Sequence, residues 1–550
     1  MNDDASGKLV RGIWATSLGT LASRALGLAR DVVTAALLGL GQGGVMDALV
    51  VAFRLPNLSR RIFGEGALAA SVLPVFAAEH RRDPQAAWRL LSVLLALVAA
   101  GLAAIVLVGE ALCALWWWLV GPGDSHLLGL SAVLMSYMVF VCLAAQVSAA
   151  LQAMLRFRLP AFAPMLLNVC WLSAAWFIAP CFSGDAAAQA YVIAGAIVVS
   201  GVLQLAVQLP ALSRAGFRFD FDWPLARPAV RQVGRAMLPV AFGLAVTQLN
   251  TFVDSLMAVV LSAKPGGPQT IAWLGNVVHY PMEQGAAAAI YYGERFYQLP
   301  VGVLGMAIAT VIYPLLARHA ARGDRARIGA DLTLGLRLVW FTALPAGIGI
   351  VLVAEPVTRL LFERGAFTSD DARRASAIIA CYAGAAWAYC ALPVLVRGYY
   401  ALGNRATPAR IGALAVAVNL TLNLALVWPL AERGLAISTA VAASVQAILL
   451  ATVYSRAGSR LAWRELTVTL GKGAIATATM ALAVISFRQL SARDDLARPQ
   501  QAMHLLFAIL TGAAVYLAAA RLLRMPELAL LLRPGDSRID RLSPPERAGV

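Results

Sequence analysis

Arg24, Arg30 and Asp31 interrupt an otherwise apolar stretch, residues 19–39, made largely of Leu, Ala, Val and Gly. A second stretch, 47–74, carries Asp47, Arg54, Arg60, Arg61 and Glu65, and a third opens with Glu294 and Arg295. An arginine at the centre of a lipid-facing helix costs about 2.5–3.5 kcal/mol. So many charges must therefore face a polar cavity inside a bundle. The arginines there outnumber the nearby acids, and their planar, permanently charged forks suit phosphate. The expected ligand is an anion. Ion pairs within the bundle, Arg24 with Asp31 and Arg61 with Glu65, are the structural alternative.

Helix geometry constrains how these groups converge. Arg24 and Asp31 are seven residues apart, as are Arg54 and Arg61, which puts each pair on nearly one face. Arg24 and Arg30 diverge by about 120° on a straight helix. Gly27 and Pro56 lie between the arginines of the first and second stretches. They are expected to bend or unwind their helices, so that the arginines turn to one cavity.

The elements that hold these residues are membrane spans. The chain has 550 residues, 60% hydrophobic and only 13% charged, where a soluble protein has about 25% charged. Fourteen apolar segments of spanning length follow one another, from 9–40 to 502–523. The formal charge of +16 resides mainly in short arginine-rich loops such as 79–83, 213–235, 317–327 and 403–410. Alternate loops (121–125, 182–185, 263–269) are poor in arginine, so the first set is cytoplasmic and both termini lie inside. Charge so placed argues against nucleic acid as a partner. The six cysteines lie in or beside apolar segments without a C-x-x-C, which reads as packing rather than a disulfide or metal framework. No small-residue cleavage site follows the polar N-terminus, so no cleaved signal peptide is expected.

The motif "ASVLPVFAAEHRRD" (70–83) resembles "TVIYPLLARHAARGD" (310–324), and "RFRLPA" (156–161) parallels "GNRATPA" (403–409). The order is kept at an offset of about 240 residues, as in transporters built from two bundles. The expected fold is an all-α polytopic membrane protein of fourteen helices, two six-helix lobes around a central cavity plus two C-terminal helices. The expected divisions are an N-terminal lobe at 1–213, a cytoplasmic linker at 214–228, a C-terminal lobe at 229–456, the last two spans at 457–523 and a loosely ordered tail at 524–550.

Three segments carry a family resemblance: "SRALGLARD", "DALVVAFRLPNLSRRIFGEGALAASVLPVFA" and "YYGERFYQLPVGVLGMAIATVIYPLLA". They resemble the signature segments of the MurJ (MviN) family of lipid II flippases, within the multidrug/oligosaccharidyl-lipid/polysaccharide exporter superfamily. The resemblance implies transport of an undecaprenyl-pyrophosphate-linked peptidoglycan precursor across the bacterial inner membrane, by alternating access and without enzymatic chemistry. It implies a groove for the lipid tail formed by the last two spans. It places the family's cavity arginines on Arg24, Arg30, Arg60 and Arg295, with Arg61 and Glu65 beside them, and a gate-shaping aspartate on Asp47. Membrane lipids and the cell-wall synthesis machinery are the further partners it implies.

The resemblance also implies a sodium site at Asp254, Asn419, Asn423 and Thr439, where Asn423 replaces the family's aspartate. Sodium is the one cofactor expected. Interhelical hydrogen bonding by buried Asn and Thr is the alternative reading. Two departures stand out: a long connection at 262–290, expected to lie over the periplasmic mouth with Trp273 and Tyr280 as interfacial anchors, and Gln298 in place of an acid. A flippase for another polyprenyl-linked glycan is the competing function. A cationic-drug antiporter fits poorly with an arginine-rich cavity. A glycosyltransferase would rest on "DFD" (220–222) alone.

Overall fold

The structure, a computed structural model, describes residues 22–64, 67–121, 125–264, 267–273, 276–456, 461–491 and 497–532. Helix α1 runs over residues 22–38. It is followed by α2 (Val45–Ser59), α3 (Ala67–Arg82), α4 (Pro84–Val120), α5 (Ser125–Ala153), α6 (Arg158–Phe162), α7 (Met165–Ser173), α8 (Ala186–Ala206), α9 (Leu209–Ser213) and α10 (Trp223–Val260). Strands β1 (Ser262–Ala263), β2 (Thr270–Trp273), β3 (Asn276–His279) and β4 (Met282–Glu283) interrupt the helices. Then come α11 (Ala286–Pro300), α12 (Met306–Ala321), α13 (Arg325–Phe362), α14 (Ser369–Ala383), α15 (Ala386–Ala401), α16 (Ala406–Leu430), α17 (Glu432–Arg456), α18 (Trp463–Leu490), α19 (Arg498–Leu522) and α20 (Pro526–Leu532).

Among the described residues, ten helical stretches are long and apolar enough to cross a membrane, and the pair α14–α15, bent by 43°, supplies an eleventh. Sequence punctuation sets many of their ends. Asp83, Asp222 and Asp324 cap α4, α10 and α13 by accepting backbone N–H groups of the first turn. Pro84 and Pro224 occupy first-turn positions, where no amide donor is needed. The prolines inside α2 and α11 are each followed by a local widening, the π-helical turns at Arg60–Gly64 and Val301–Gly305.

The chain forms two compact units, one of residues 1–288 with 364–368, the other of 289–363 with 369–550. The first extends past the division expected at 213, because α10 packs on α2, α3 and α4. Its core includes Phe76, Trp88, Leu91, Leu94, Val147, Leu151, Leu212 and Val233. Phe76, Trp88 and Phe217 make edge and tilted ring contacts there. The second unit is centred on Ile312, Leu332, Leu336, Val339, Val394, Leu450 and Tyr454. A smaller cluster, Phe341, Met480, Tyr516, Ala520 and Met525, fixes the α18–α19 hairpin to α13. Large apolar side chains remain exposed along the spans, as a lipid-facing surface requires.

The 262–290 connection departs from an all-helical reading. Strands β2 and β3 pair antiparallel, with Thr270 opposite His279 and Trp273 opposite Asn276, and β1 pairs with β4 in parallel. Tyr280 donates its backbone N–H to Gln269 O at 3.0 Å, closing the hairpin base. The tail also differs from expectation. Its first part folds as α20 and buries Glu527 completely, while residues 533–550 lie outside the described residues.

Candidate functional site

Helix α1 continues through Gly27 without the unwinding expected there. An added Cβ there would meet the Asn168 amide at 3.8 Å, an ordinary contact distance. On this continuous helix the two arginines have different surroundings. Arg24 is exposed, and Arg30 is buried at 4% exposure.

The burial of Arg30 is compensated on every side. Its Nη2 and Nε donate to Asp31 Oδ1 at 2.6 and 3.0 Å, and its Nη1 donates to Asn168 Oδ1 at 3.0 Å. The guanidinium lies 4.4 Å from the Trp171 ring centroid, a cation–π geometry. Trp171 Nε1 in turn donates to Thr34 Oγ1, and Asn168 Nδ2 donates to Ser23 O. Asp31 is therefore the partner of its neighbour Arg30. The pairing of Asp31 with Arg24, weighed from the seven-residue spacing, is not the one this ion pair uses.

The second arginine group sits where α2 widens. Arg60 donates to Asn57 Oδ1 at 3.0 Å through Nη2, and Arg54 donates to Thr251 O at 3.3 Å on α10. Arg61 is exposed. Glu65, its expected partner, lies outside the described residues.

Asp47 is buried at 3% exposure and works as a clamp. Its carboxylate accepts the N–H of Gly285 at 2.7 Å and of Ala288 at 2.8 Å, at the start of α11. A carboxylate at a helix N-terminus satisfies otherwise unpaired donors and meets the positive end of the helix dipole. Gly285 is required here: its φ is +92°, and an added Cβ would lie 2.9 Å from the Leu40 backbone. Beside it, Ala366 donates its N–H to Ala36 O at 2.7 Å, tying residues 364–368 to the end of α1. Gly39 and Gly365, both at positive φ, admit that close approach.

In the second unit, Arg295 Nη2 donates to Tyr291 Oη at 2.6 Å, and its guanidinium lies 4.5 Å from the Tyr291 ring. Glu294 is buried beside it in sequence. Asn419 Nδ2 donates to Thr439 Oγ1 at 3.0 Å, and Asn423 Nδ2 donates to Asn419 Oδ1 at 3.0 Å. The first bond joins α16 to α17, and the second lies within α16. Carboxamide and hydroxyl oxygens suit a small hard cation, but a cation taking Asn419 Oδ1 would displace the Asn423 amide from it. Asp254, buried at 2% exposure, belongs to the first unit. No group of three or more His, Cys, Asp or Glu gathers as a metal centre among the described residues.

Several residues of these networks were not singled out from sequence: Asn168, Trp171, Asn57, Tyr291 and Gly285. Asn168 and Trp171 lie more than a hundred residues from Arg30, although a polar amide in the apolar run 160–182 is a usable signal.

Residues 35–494 match the family described as "Lipid II flippase MurJ". That match begins just after Arg24, Arg30 and Asp31. A relative from Haemophilus influenzae, named "Probable lipid II flippase MurJ", is 32% identical over 452 residues, covering 78% of this chain and 83% of the relative. One of the same name from Rhizobium tropici is 33% identical over 454 residues, covering 81% and 80%. A solved structure titled "Lipid II flippase MurJ, inward closed conformation" superposes with a TM-score of 0.72 at 20% identity, over 94% of this chain and 99% of that one, which shows the shared fold. With a family match over most of its length and relatives above 30% identity, this chain belongs to the lipid II flippase MurJ family.

Proposed function

We propose that the chain carries lipid II, the undecaprenyl-pyrophosphate-linked peptidoglycan precursor, from the cytoplasmic to the outer leaflet of the bacterial inner membrane. The family match over residues 35–494 carries this reading. Transport makes and breaks no covalent bond. We assign Arg24, Arg60 and Arg295 as counter-charge for the pyrophosphate; Arg30 is already paired with Asp31. The Asp47 carboxylate, accepting from Gly285 and Ala288, and the Ala366–Ala36 hydrogen bond hold the start of α11 and residues 364–368 within the first unit.

The test is complementation of cells depleted of their lipid II flippase, read as lipid II accessible at the outer face. Restored accessibility is expected. Failure to restore it with the protein present in the membrane would overturn the reading in favour of another polyprenyl-linked glycan.

The arginine asymmetry of the loops supports cytoplasmic termini. Cysteine introduced at Gly267 is expected to label from outside and at Gly323 from inside. Reversal at either position would invert the assignment.

Sodium binding at Asp254, Asn419, Asn423 and Thr439 is the cofactor part of the proposal. A single carboxylate compensates the ion's charge poorly, so the expected affinity is modest. Sodium is expected to raise the melting temperature slightly, and Asp254→Ala to remove that effect. A sodium shift that persists in Asp254→Ala would place the ion elsewhere.

A further inference from the structure

The connection from α9 to α10 and the first turns of α10 form one basic surface of the first unit. Residues 214–235 hold five arginines and two aspartates. Arg214, Arg218, Arg227, Arg231 and Arg235 are all exposed, and no hydrogen bond or ion pair reaches their guanidinium groups among the described residues. The aspartates are engaged elsewhere. Asp222 accepts the N–H of Leu225 as the cap of α10, and Asp220 pairs with Arg89 Nε at 3.0 Å. Arg227, Arg231 and Arg235 follow at four-residue steps and so form a stripe along α10. The stripe lies on the side away from the buried Ala226 and Val233.

Large apolar side chains are interleaved with these charges. Phe219 is 64% exposed, Phe221 53% and Leu225 62%, and Trp223 is exposed as well. Asp220 fixes the level of this segment: its backbone N–H donates to Ser92 Oγ at 3.1 Å while its carboxylate holds Arg89. Arg89 and Ser92 flank Leu90 and Leu91, where the apolar run of α4 begins. Phe219 and Phe221 adjoin Asp220 and therefore lie level with the edge of the bilayer. Phe217, by contrast, turns inward onto Trp88.

This combination selects the ligand. A neutral headgroup layer would accept the aromatic rings and leave five cations without counter-charge. A soluble acidic partner would have to displace lipid from rings already level with the bilayer edge. An acidic lipid surface satisfies both, because its phosphates meet the guanidinium groups while the rings enter the interface. We propose that residues 214–235 are a docking surface for the acidic phospholipids of the adjoining leaflet. The arginine stripe of α10 holds headgroup phosphates, and Phe219 and Phe221 insert beside them. This docking does not depend on what the chain transports.

The experiment uses the full chain in nanodiscs, with a trifluoromethyl group on the Phe221 ring as a fluorine NMR probe. One set of nanodiscs is pure phosphatidylcholine, and the other is a mixture with phosphatidylglycerol. Line broadening by a neutral, water-soluble gadolinium chelate reads the exposure of the ring to water. Strong broadening is expected in phosphatidylcholine and shielding in the mixture, with the shielding reduced at high salt. Arg227→Gln, Arg231→Gln and Arg235→Gln together are expected to weaken docking about a hundredfold, about fivefold for each charge. The ring of that variant is expected to be open to the chelate in both lipids. Its melting temperature is expected to match the parent, since the three side chains have no partner among the described residues, and this separates lost docking from a lost fold. Equal broadening in the two lipids overturns the proposal, and so does shielding that the triple variant keeps. Undecaprenyl pyrophosphate in phosphatidylcholine nanodiscs is the third arm. If it shields the ring and phosphatidylglycerol does not, the arginines receive a carrier pyrophosphate and the phospholipid proposal fails.

Discussion

Arg30→Ala is expected to destabilise the first unit by about 3–5 kcal/mol, the cost of stranding one member of a buried ion pair. Arg24→Ala is expected to leave the melting temperature unchanged and still to abolish transport. The two arginines are six residues apart and share a place in the family motif, yet the structure gives them different surroundings. Arg30 neutralises Asp31, itself 4% exposed, and rests on Trp171. Its removal leaves a carboxylate in an apolar interior without its cation. Arg24 is exposed and carries no such obligation. The double substitution Arg30→Met with Asp31→Asn removes both charges together and is expected to recover most of the lost stability, because a buried pair is often replaceable by neutral groups of similar volume. Thermal unfolding in nanodiscs, read beside lipid II transport, checks both claims. An Arg30→Ala protein as stable as the parent would show that Asp31 is compensated by another group. An Arg24→Ala protein that transports normally would remove Arg24 from the phosphate cradle.

This split was not legible in the sequence, for a geometric reason. Spacing arguments on a helix compare positions three, four or seven apart, whose Cβ atoms share a face. Residues 30 and 31 point about 100° apart, and only the length of the arginine side chain lets it fold back onto its neighbour. Asn168 and Trp171 arrive from a helix that no local pattern connects to α1. The membrane spans, by contrast, were readable, because apolar runs of spanning length leave few other structures available. So was the special status of Asp47, although its partners are backbone amides of a distant helix start, which no side-chain pattern reveals.

The 262–290 connection shows where a hydropathy reading loses information. "TIAW" and "NVVH" are separated by two residues, one of them glycine, a spacing that signals a hairpin. Placed between long apolar spans and flanked by proline and glycine, the same residues read as an amphipathic piece over the periplasmic mouth. The division into units was also partly hidden. The basic linker at 214–228 looks like a boundary by composition, but Val233 of α10 belongs to the first core, so the packing boundary falls later. Composition marks where the chain meets water, and packing marks where it folds as one body.

The C-terminal hairpin is held by an arrangement whose disruption has a comparably large expected effect. Arg337 on α13 donates from Nε to Glu527 Oε1 at 2.8 Å and from Nη1 to Glu465 Oε2 at 2.6 Å. Thr469 Oγ1 donates to the same Glu527 oxygen at 2.8 Å, and Glu527 is fully buried. One arginine therefore binds the start of α18 and the short α20 to the bundle. The two acids are not equal partners. Glu465 is more than half exposed, so its pairing is worth about 0–1 kcal/mol after screening. Among the described residues Arg337 is the one cation paired with Glu527. Arg337→Ala is expected to cost about 3–5 kcal/mol, again as a stranded buried charge, and to release α20 and the adjoining end of α19 to proteolysis. Glu465→Gln should cost less than about 1 kcal/mol. Glu527→Gln in the Arg337→Ala background should restore most of the loss, since the carboxamide removes the charge while keeping an acceptor for Thr469. A full double-mutant cycle, read as melting temperature and as the rate of cleavage beyond residue 521, separates a true coupling from two independent defects. Equal losses for Glu465→Gln and Arg337→Ala would mean that the exposed pair, not the buried one, holds the hairpin in place.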